Sequence, residues 1–506
     1  MVRSLLLFAC CFLPSVALLA QPAAPQGKIQ SGPMLGYATM AEVLIWVQTY
    51  GPAEVVVEYR PQNDPDQLFR TDPVVTEKAT AFVAKCIADR VKAGTTYHYR
   101  VRVNGQVERP RFMADYSAEI LPLTFTTPPN WRFREEGHAI FDFTVGAGSC
   151  NYVNDRPGGY DRLNGDPYGG DYEIFHAIYE QAPDLFLWLG DNTYLREPDW
   201  TSRTGLHYRW TVNRSLPEKR GMLATMFNYA TWDDHDYGPN NAGWDFPNKG
   251  QATEAFQLFW GNPTAGLPEL PGIFTSFSWG DVNFYLMDNR TYRTADAVAG
   301  GGRWPKQMFG RDQIEWLVQQ MRWAHSQSEL SRNPSYPLNF HVVAGGNQIF
   351  SPNSADSLPA YEEEFDYLFR RIREEGISGV VFLSGDVHFG EVSRRDFVGT
   401  EELGVPGHTQ TFYDITTSPL TAGSWGGAAP ERNPYRYDIF PGEMDRVGQR
   451  NFVTLEFRGP LREREMVIRY FDKDGNLLNQ DPDGEGGEPT PESVIRANDL
   501  RLPRGR

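Results

Sequence analysis

Five apolar runs in this 506-residue chain each lead into a side chain able to hold a cation. Cys150 follows the run 141–145 and a Gly-Ala-Gly-Ser turn, Asp191 follows 184–189, and Asp234 follows 228–232. Asn347 follows 340–344, and Asp386 with His388 follows 378–383. Tyr194 lies three residues beyond Asp191. Thiolate, phenolate and imidazole from Cys150, Tyr194 and His388 suit a ferric ion, or zinc less well. Carboxylate and amide oxygens from Asp234, Asn347 and Asp386 suit calcium or another hard dication, and Asp191 would bridge the two. Such a pair of cations can hold a phosphoryl group while a metal-bound hydroxide or oxide attacks in line. The run Asp233-Asp234-His235-Asp236 is the strongest local signal, because three carboxylates around one imidazole repel one another without a cation. His235, beside the ligand set and outside it, is placed to protonate the leaving alcohol as a general acid. Singly, each residue has a plain structural alternative: a buried thiol for Cys150, a turn residue for Asn347, a capped turn for Asp191. The recurrence is what points to a site.

Side chains so far apart in sequence meet only if strands deliver them to one edge, and the C-terminal edge of an open α/β sheet is where such folds bind ligands. From Ala139 onward strands alternate with helical periods at 171–181, 205–227, 251–260, 311–324 and 361–375, which predicts an α/β domain. A hairpin spans 275–288 and turns at Gly280-Asp281; strands at 411–416, 452–457 and 466–470 complete a second sheet. Residues 27–128 differ. Short alternating runs at 43–46, 54–59, 81–88, 96–103 and 123–126, with nothing helical between them, predict an antiparallel β-sandwich of immunoglobulin-like size. The run around Tyr97 is similar to the fibronectin type III strand with a corner tyrosine, so Tyr97 is expected to anchor a loop, and Cys86 to be a small buried hydrophobe. Residues 128–137 read as a linker, and 476–506 as a C-terminal tail, which from Asn479, rich in Gly, Pro and Glu, is expected to lack independent structure until Pro491 or later.

Residues 1–20 have Arg3, an apolar run from 5 to 19 broken by Pro14, and a small residue before Gln21-Pro22. This is a Sec-type signal peptide cut after Ala20, with an uncleaved anchor as the alternative; it sends the protein to the periplasm or outside the cell. No other segment is apolar enough to span a bilayer, so no transmembrane anchor is expected after cleavage. Cleavage takes two of the four cysteines and leaves Cys86 and Cys150, too few for a disulfide framework. It also removes one Arg and no acid, moving the formal charge from -17 to -18. So acidic a chain argues against a nucleic-acid partner. Arg290 and Arg293, just past a strand, read equally well as phosphate-binding groups or as ion-pair partners, and Asp288 as a buttress of the metal shell.

Gly-Asp191-Asn-Thr-Tyr194 resembles the GDxxY motif of purple acid phosphatases and the wider calcineurin-like metallophosphatase superfamily. Gly-Ser-Cys150 stands where that superfamily has DxH, Asp-Asp-His235 where it has Gly-Asn-His, Asn347 where a His is usual, and Gly-Asp386-Val-His388 in place of GHxH. With the segments 232–236, 287–293 and 308–317, these departures are similar to the alkaline phosphatase D (PhoD-like) family. The resemblance implies an immunoglobulin/fibronectin III-like sandwich at 27–128 and a four-layer α/β/β/α metallophosphatase domain at 138–475. It implies iron on Cys150, Asp191, Tyr194 and His388, and calcium on Asp191, Asp234, Asn347 and Asp386. The expected reaction is hydrolysis of phosphate monoesters or diesters, on a small-molecule or polymer phosphoester. A phospholipase D-like diesterase acting on lipid or cell-wall polymers is the alternative, and a non-catalytic surface binding protein a remote one. Relatives can carry a C-terminal helix over the site; this tail shows no clear helix.

Overall fold

The computed structural model of the chain describes residues 28–108, 123–131, 140–155, 167–296, 305–330, 338–399, 408–424, 433–442, 444, 446–484 and 487–502. The signal peptide reading of 1–20 lies outside the described residues, as does the linker stretch 132–137.

Two sheets form the centre. The larger has nine strands, in the spatial order Val494–Arg496, Glu465–Asp472, Asn451–Arg458, Phe143–Gly148, Leu185–Leu189, Phe227–Thr231, Ile29–Ala38, Val43–Thr49 and Val83–Ala88. The smaller has six: Thr275–Trp279, Val282–Leu286, Phe340–Ala344, Val380–Ser384, Thr409–Thr416 and Glu391–Val398. The strand Leu185–Leu189 shows how they stack. Its five residues are all fully buried, each side chain worth about 2 kcal/mol of burial. Leu185, Leu187 and Leu189 share one apolar cluster with Phe284, Val342 and Leu383 of the smaller sheet, while Phe186 and Trp188 meet Ile178, Trp210 and Phe256 on the other face. That outer face carries the helices Ile174–Gln181, Arg203–Arg214 and Lys249–Phe259. The smaller sheet does the same with Tyr285, Val343 and Phe382 against Leu317 and Phe369 of the helices Arg311–Leu330 and Glu362–Glu374. Period-two side chains thus build a helix–sheet–sheet–helix stack.

Phe143–Gly148, Leu185–Leu189 and Phe227–Thr231 run parallel, as do Val282–Leu286, Phe340–Ala344 and Val380–Ser384. Parallel strands end at a common rim, and the five turns that carry the candidate residues all follow such ends.

The N-terminal region has the two faces expected of a sandwich. Val55, Val57 and Tyr59 of the strand Ala53–Pro61 pack with Ile45, Val47 and Cys86 across the layer. Tyr97 holds its loop as expected: its hydroxyl accepts from the Lys92 N–H at 2.8 Å. The upper face, however, does not end at the linker. Ile29–Ala38 pairs in parallel with Phe227–Thr231, Leu35 opposite Phe227, so its strands continue the nine-stranded sheet. A boundary near 128 parts the chain without parting the sheet. Alternating polarity fixes which face of a strand is buried and leaves its edge partner open, because edges pair through the backbone.

The helical stretch expected over 205–227 is broken into Arg203–Arg214 and Arg220–Thr225 around Pro217, which starts a short 3-10 turn. In the tail, Val494–Arg496 joins the sheet against Glu465–Asp472. Among the described residues no tail helix covers the rim, and no helix is long and apolar enough to cross a membrane.

Candidate functional site

Cys150, Asp191, Asp386 and His388 all sit in left-handed backbone, at φ of 56, 51, 70 and 56°. A non-glycine residue there costs about 1–3 kcal/mol, and such strain gathers where the fold has to aim a side chain. Here it follows three of the strand ends, those of Phe143–Gly148, Leu185–Leu189 and Val380–Ser384. The loops are tied together: the Cys150 N–H donates to the Gly190 carbonyl at 3.2 Å and the Asn151 N–H to the Asp191 carbonyl at 2.8 Å. Gly190, at φ 101°, is required by space as well, since a Cβ there would stand 2.7 Å from that of Asp233.

All eight residues singled out in the sequence meet. Cys150 Sγ lies 3.7 Å from Asp191 Oδ2 and 3.5 Å from the Asp386 carbonyl oxygen. Tyr194 Oη lies 3.3 Å from His388 Nε2, and its ring rests on that of His235 at 4.4 Å between centroids. Asp191, Asp234 and His235 each place one ligand atom within 4.8 Å of the others'. His235 is therefore among the carboxylates rather than beside them, and its backbone N–H donates to Asp191 Oδ1 at 3.1 Å. Asn347 arrives in an unexpected orientation. Its amide nitrogen faces Asp386 Oδ2 at 3.3 Å and Asp233 Oδ2 at 3.4 Å, while its oxygen accepts from Asn289 at 2.6 Å and Arg293 at 3.1 Å. With carboxylates on that side, the donor end of the amide is drawn to them; an oxygen offered to a cation requires the amide to turn over.

Charge at the rim is badly balanced. Burial and then the surrounding carboxylates, Asp234 first, push Asp191 well above the usual carboxylate range. Asp386 is pushed up to about 8 by burial and by Asp233 and Asp234. Burial alone would raise Asp234 too, but His235, Arg290 and the Asn241 N–H outweigh it and hold it low. Burial and Asp191 raise the Cys150 thiol and the Tyr194 phenol far beyond neutrality. Burial lowers both His235 and His388, the latter to about 4. Among the described residues, two buried atoms, Asp234 Oδ1 and His235 Nδ1, have no hydrogen-bond partner. Crowded acids, orphaned polar atoms and suppressed acidity in a thiol and a phenol all fit residues that hold cations.

Beneath the ligands lies a layer that sequence reading left undecided. Arg290 and Arg293 are fully buried and absent from the cavity lining, so of their two readings the structural one holds. Arg290 pairs with Asp233 and Arg293 with Asp356 and Asp296. Asp288 touches no ligand; it accepts from Trp232 Nε1 at 2.8 Å and from the Arg290 and Thr291 N–H groups, stiffening the turn. On the other side Asn192 donates to the Thr231 carbonyl and to Asp236, and Asn213 to the Asn192 carbonyl, which joins the Asp191 and Asp234 loops. Above the ligands opens a cavity of about 580 Å³, lined also by Tyr168, Arg196, Asn241 and Gln348, none of which the sequence reading identified.

Residues 148–462 match the family described as PhoD-like phosphatase. The chain belongs to that family. A second family, described as a domain of unknown function (DUF7800), matches residues 26–120. Alkaline phosphatase D of Bacillus subtilis (strain 168) is 24% identical over 257 residues, 43% of this chain and 43% of that protein, so the match spans less than half of the relative's length. The solved structure of PhoD superposes with a TM-score of 0.66 at 16% identity, over 94% of this chain and 93% of that one. A purple acid phosphatase, PPD1 from yellow lupin (Lupinus luteus) seeds, gives 0.59 at 12% identity, over 90% and 74%. At these identities the two structures establish a PhoD-like metallophosphatase fold, including its β-rich N-terminal region.

Proposed function

We propose that this PhoD-like chain is a metal-dependent phosphohydrolase that releases phosphate from monoesters and cleaves diesters. One observation carries the reading: Cys150, Asp191, Tyr194, Asp234, Asn347, Asp386 and His388 converge at one cavity, with Asp234 Oδ1 and His235 Nδ1 unpartnered among the described residues. Iron would be held by Cys150, Asp191, Tyr194 and His388, and calcium by Asp191, Asp234, Asn347 and Asp386, as their donor atoms favour. Such cations supply Lewis-acid polarisation of the phosphoryl oxygens and a more acidic water. The chain's own part is positional and protic. The strained loops fix the acceptors in advance, so little reorganisation accompanies charge development. His235 is neutral at pH 7 when alone, because burial disfavours its charge; a phosphoryl dianion beside it favours the protonated form, which can then give its proton to the leaving alcohol. Residues 1–20 support export before the metals load.

The test measures iron and calcium content and phosphate release for the wild-type chain, Asp191→Asn and Cys150→Ser. Both variants are expected to lose metal and to fall by at least about a hundredfold in kcat/KM. Unchanged iron in both would refute the ligand assignment, and a wild type inert on monoester and diester alike would refute the enzyme.

A further inference from the structure

The cavity is larger than a phosphoryl group needs; its volume of about 580 Å³ lies in the range that holds a whole small molecule. Its floor is acidic, with Asp191, Asp234 and Asp386. One wall carries the opposite sign. Arg196 lines the same cavity, two residues beyond Tyr194, with its guanidinium over the rings of Tyr152 at 5.0 Å and Tyr194 at 5.4 Å. Among the described residues no carboxylate forms an ion pair with that guanidinium, in a chain where acids outnumber Lys and Arg by 65 to 48. Across the cavity Arg436 is already committed to Glu391 at 3.2 Å, and Arg446 lies over Phe389 at 4.9 Å.

The backbone around Arg196 is pinned on both sides. The Leu195 N–H donates to the His235 carbonyl at 3.0 Å, and the Arg196 N–H to Asp199 Oδ2 at 2.8 Å. Asp199 is fixed in turn by Arg209 Nε at 3.0 Å. Aromatic faces hold a guanidinium in place without cancelling its charge, and its planar fork matches a phosphate in two-pronged fashion. Tyr168, half-exposed and set edge-on to Tyr152 at 4.8 Å, extends the wall outward.

We propose that Arg196, backed by Tyr152 and Tyr194, is a subsite for a second phosphate carried by the leaving alcohol, so that the favoured substrates are phosphoesters bearing a further phosphate. The inference rests on the phosphohydrolase reading and adds a substrate class to it. A small organic bisphosphate and a phosphate-linked polymer share this chemistry.

The experiment compares kcat/KM for propyl phosphate, propane-1,3-diol bisphosphate and a short poly(glycerol phosphate), in the metal-loaded wild type and in Arg196→Gln. The ratio of each substrate with more than one phosphate to propyl phosphate is expected to drop about tenfold or more in the variant, as for a lost charge-assisted hydrogen bond. A drop for the bisphosphate alone assigns a small-molecule substrate, and a drop for the polymer assigns a chain-like one. Arg196→Lys, which keeps the charge without the fork, is expected to show a partial drop, and carries the test if the Gln variant does not fold. Equal losses on all three substrates would mean that Arg196 only supports the loop, and would overturn the proposal, as would no change in any ratio. Failure of the phosphohydrolase reading looks different, because the wild type would then hydrolyse none of the three, giving neither phosphate from the monoesters nor glycerol phosphate from the polymer, and both readings would fall.

Discussion

Asp233 illustrates how the site is held by residues that never reach the cavity. Its carboxylate takes Arg290 and Asn289 on Oδ1, and through Asn289 and Asn347 it touches the ligand set. Replacing it with Asn leaves Arg290 charged, fully buried and without its main counter-ion. We predict that Asp233→Asn costs about 3–5 kcal/mol of stability, read from a denaturant midpoint, and a loss below about 1 kcal/mol would show that the pair is not needed. Protonation gives a second expectation. Cys150, Tyr194 and Asp386 all have proton affinities raised by burial and neighbouring acids, so cation binding has to expel protons. Adding iron and calcium to metal-stripped protein at pH 7 in weak buffer is expected to acidify the solution by at least about one proton per site, and metal affinity to rise with pH through the range of Asp386. No proton release would contradict the ligand set. The candidate residues were legible because they follow the ends of apolar runs, with Tyr194 found by its spacing from Asp191. Arg290 and Arg293 were not, because Asp233 lies 57 positions from the first and Asp356 63 from the second, and only Asp296 is a near neighbour in sequence. Nor could composition show which way the Asn347 amide turns.

Strands and their terminal turns do the aiming. Gly190 ends the strand Leu185–Leu189 in a backbone region closed to other residues, with Asp233 against it. Gly190→Ala is expected to cost about 1–3 kcal/mol in backbone strain and to push the Asp191 and Asp233 loops apart. Metal content should therefore fall in the folded variant; full metal retention would show that the loops tolerate the shift. The strand Phe340–Ala344 supplies a pH-dependent stability term remote from the ligands. His341 is fully buried against Tyr285, 3.1 Å from its hydroxyl, and burial lowers it to about 3. The unfolded chain takes a proton there at about pH 6.5 and the folded chain does not, so stability present above that pH is lost as pH falls from about 6.5 towards 3. The expected slope is about 1.4 kcal/mol per pH unit, and His341→Phe should flatten it; an identical acid limb in both proteins would assign the loss elsewhere. Strand ends and the turn at Gly280-Asp281 were readable from apolar runs and turn residues. The break at Pro217 was there to be read, but the helical period on both sides of it masked the stop.

At the scale of the molecule, the main departure from expectation is the shared sheet. Alternation revealed a two-faced N-terminal layer, yet nothing in residues 29–38 says that their edge continues onto 227–231. One apolar cluster spans Ile45, Val55, Leu187, Phe284 and Val342 without interruption. Heat unfolding of the metal-free protein is accordingly expected to give one calorimetric transition; two resolved peaks would show that the sandwich is an independent unit after all. The same sheet has its two rims in strands drawn from distant parts of the polypeptide, Val83–Ala88 on one side and Val494–Arg496 on the other. Both are short, which leaves little open backbone for another molecule to latch onto. Val494–Arg496 pairs with only Glu465, Met466 and Val467 of the strand Glu465–Asp472, so the cover on that side is three residues long. Without that segment the Glu465–Val467 edge would lie open to another copy, so what guards the fold against clumping on that side is three residues of backbone as much as the depth of its core.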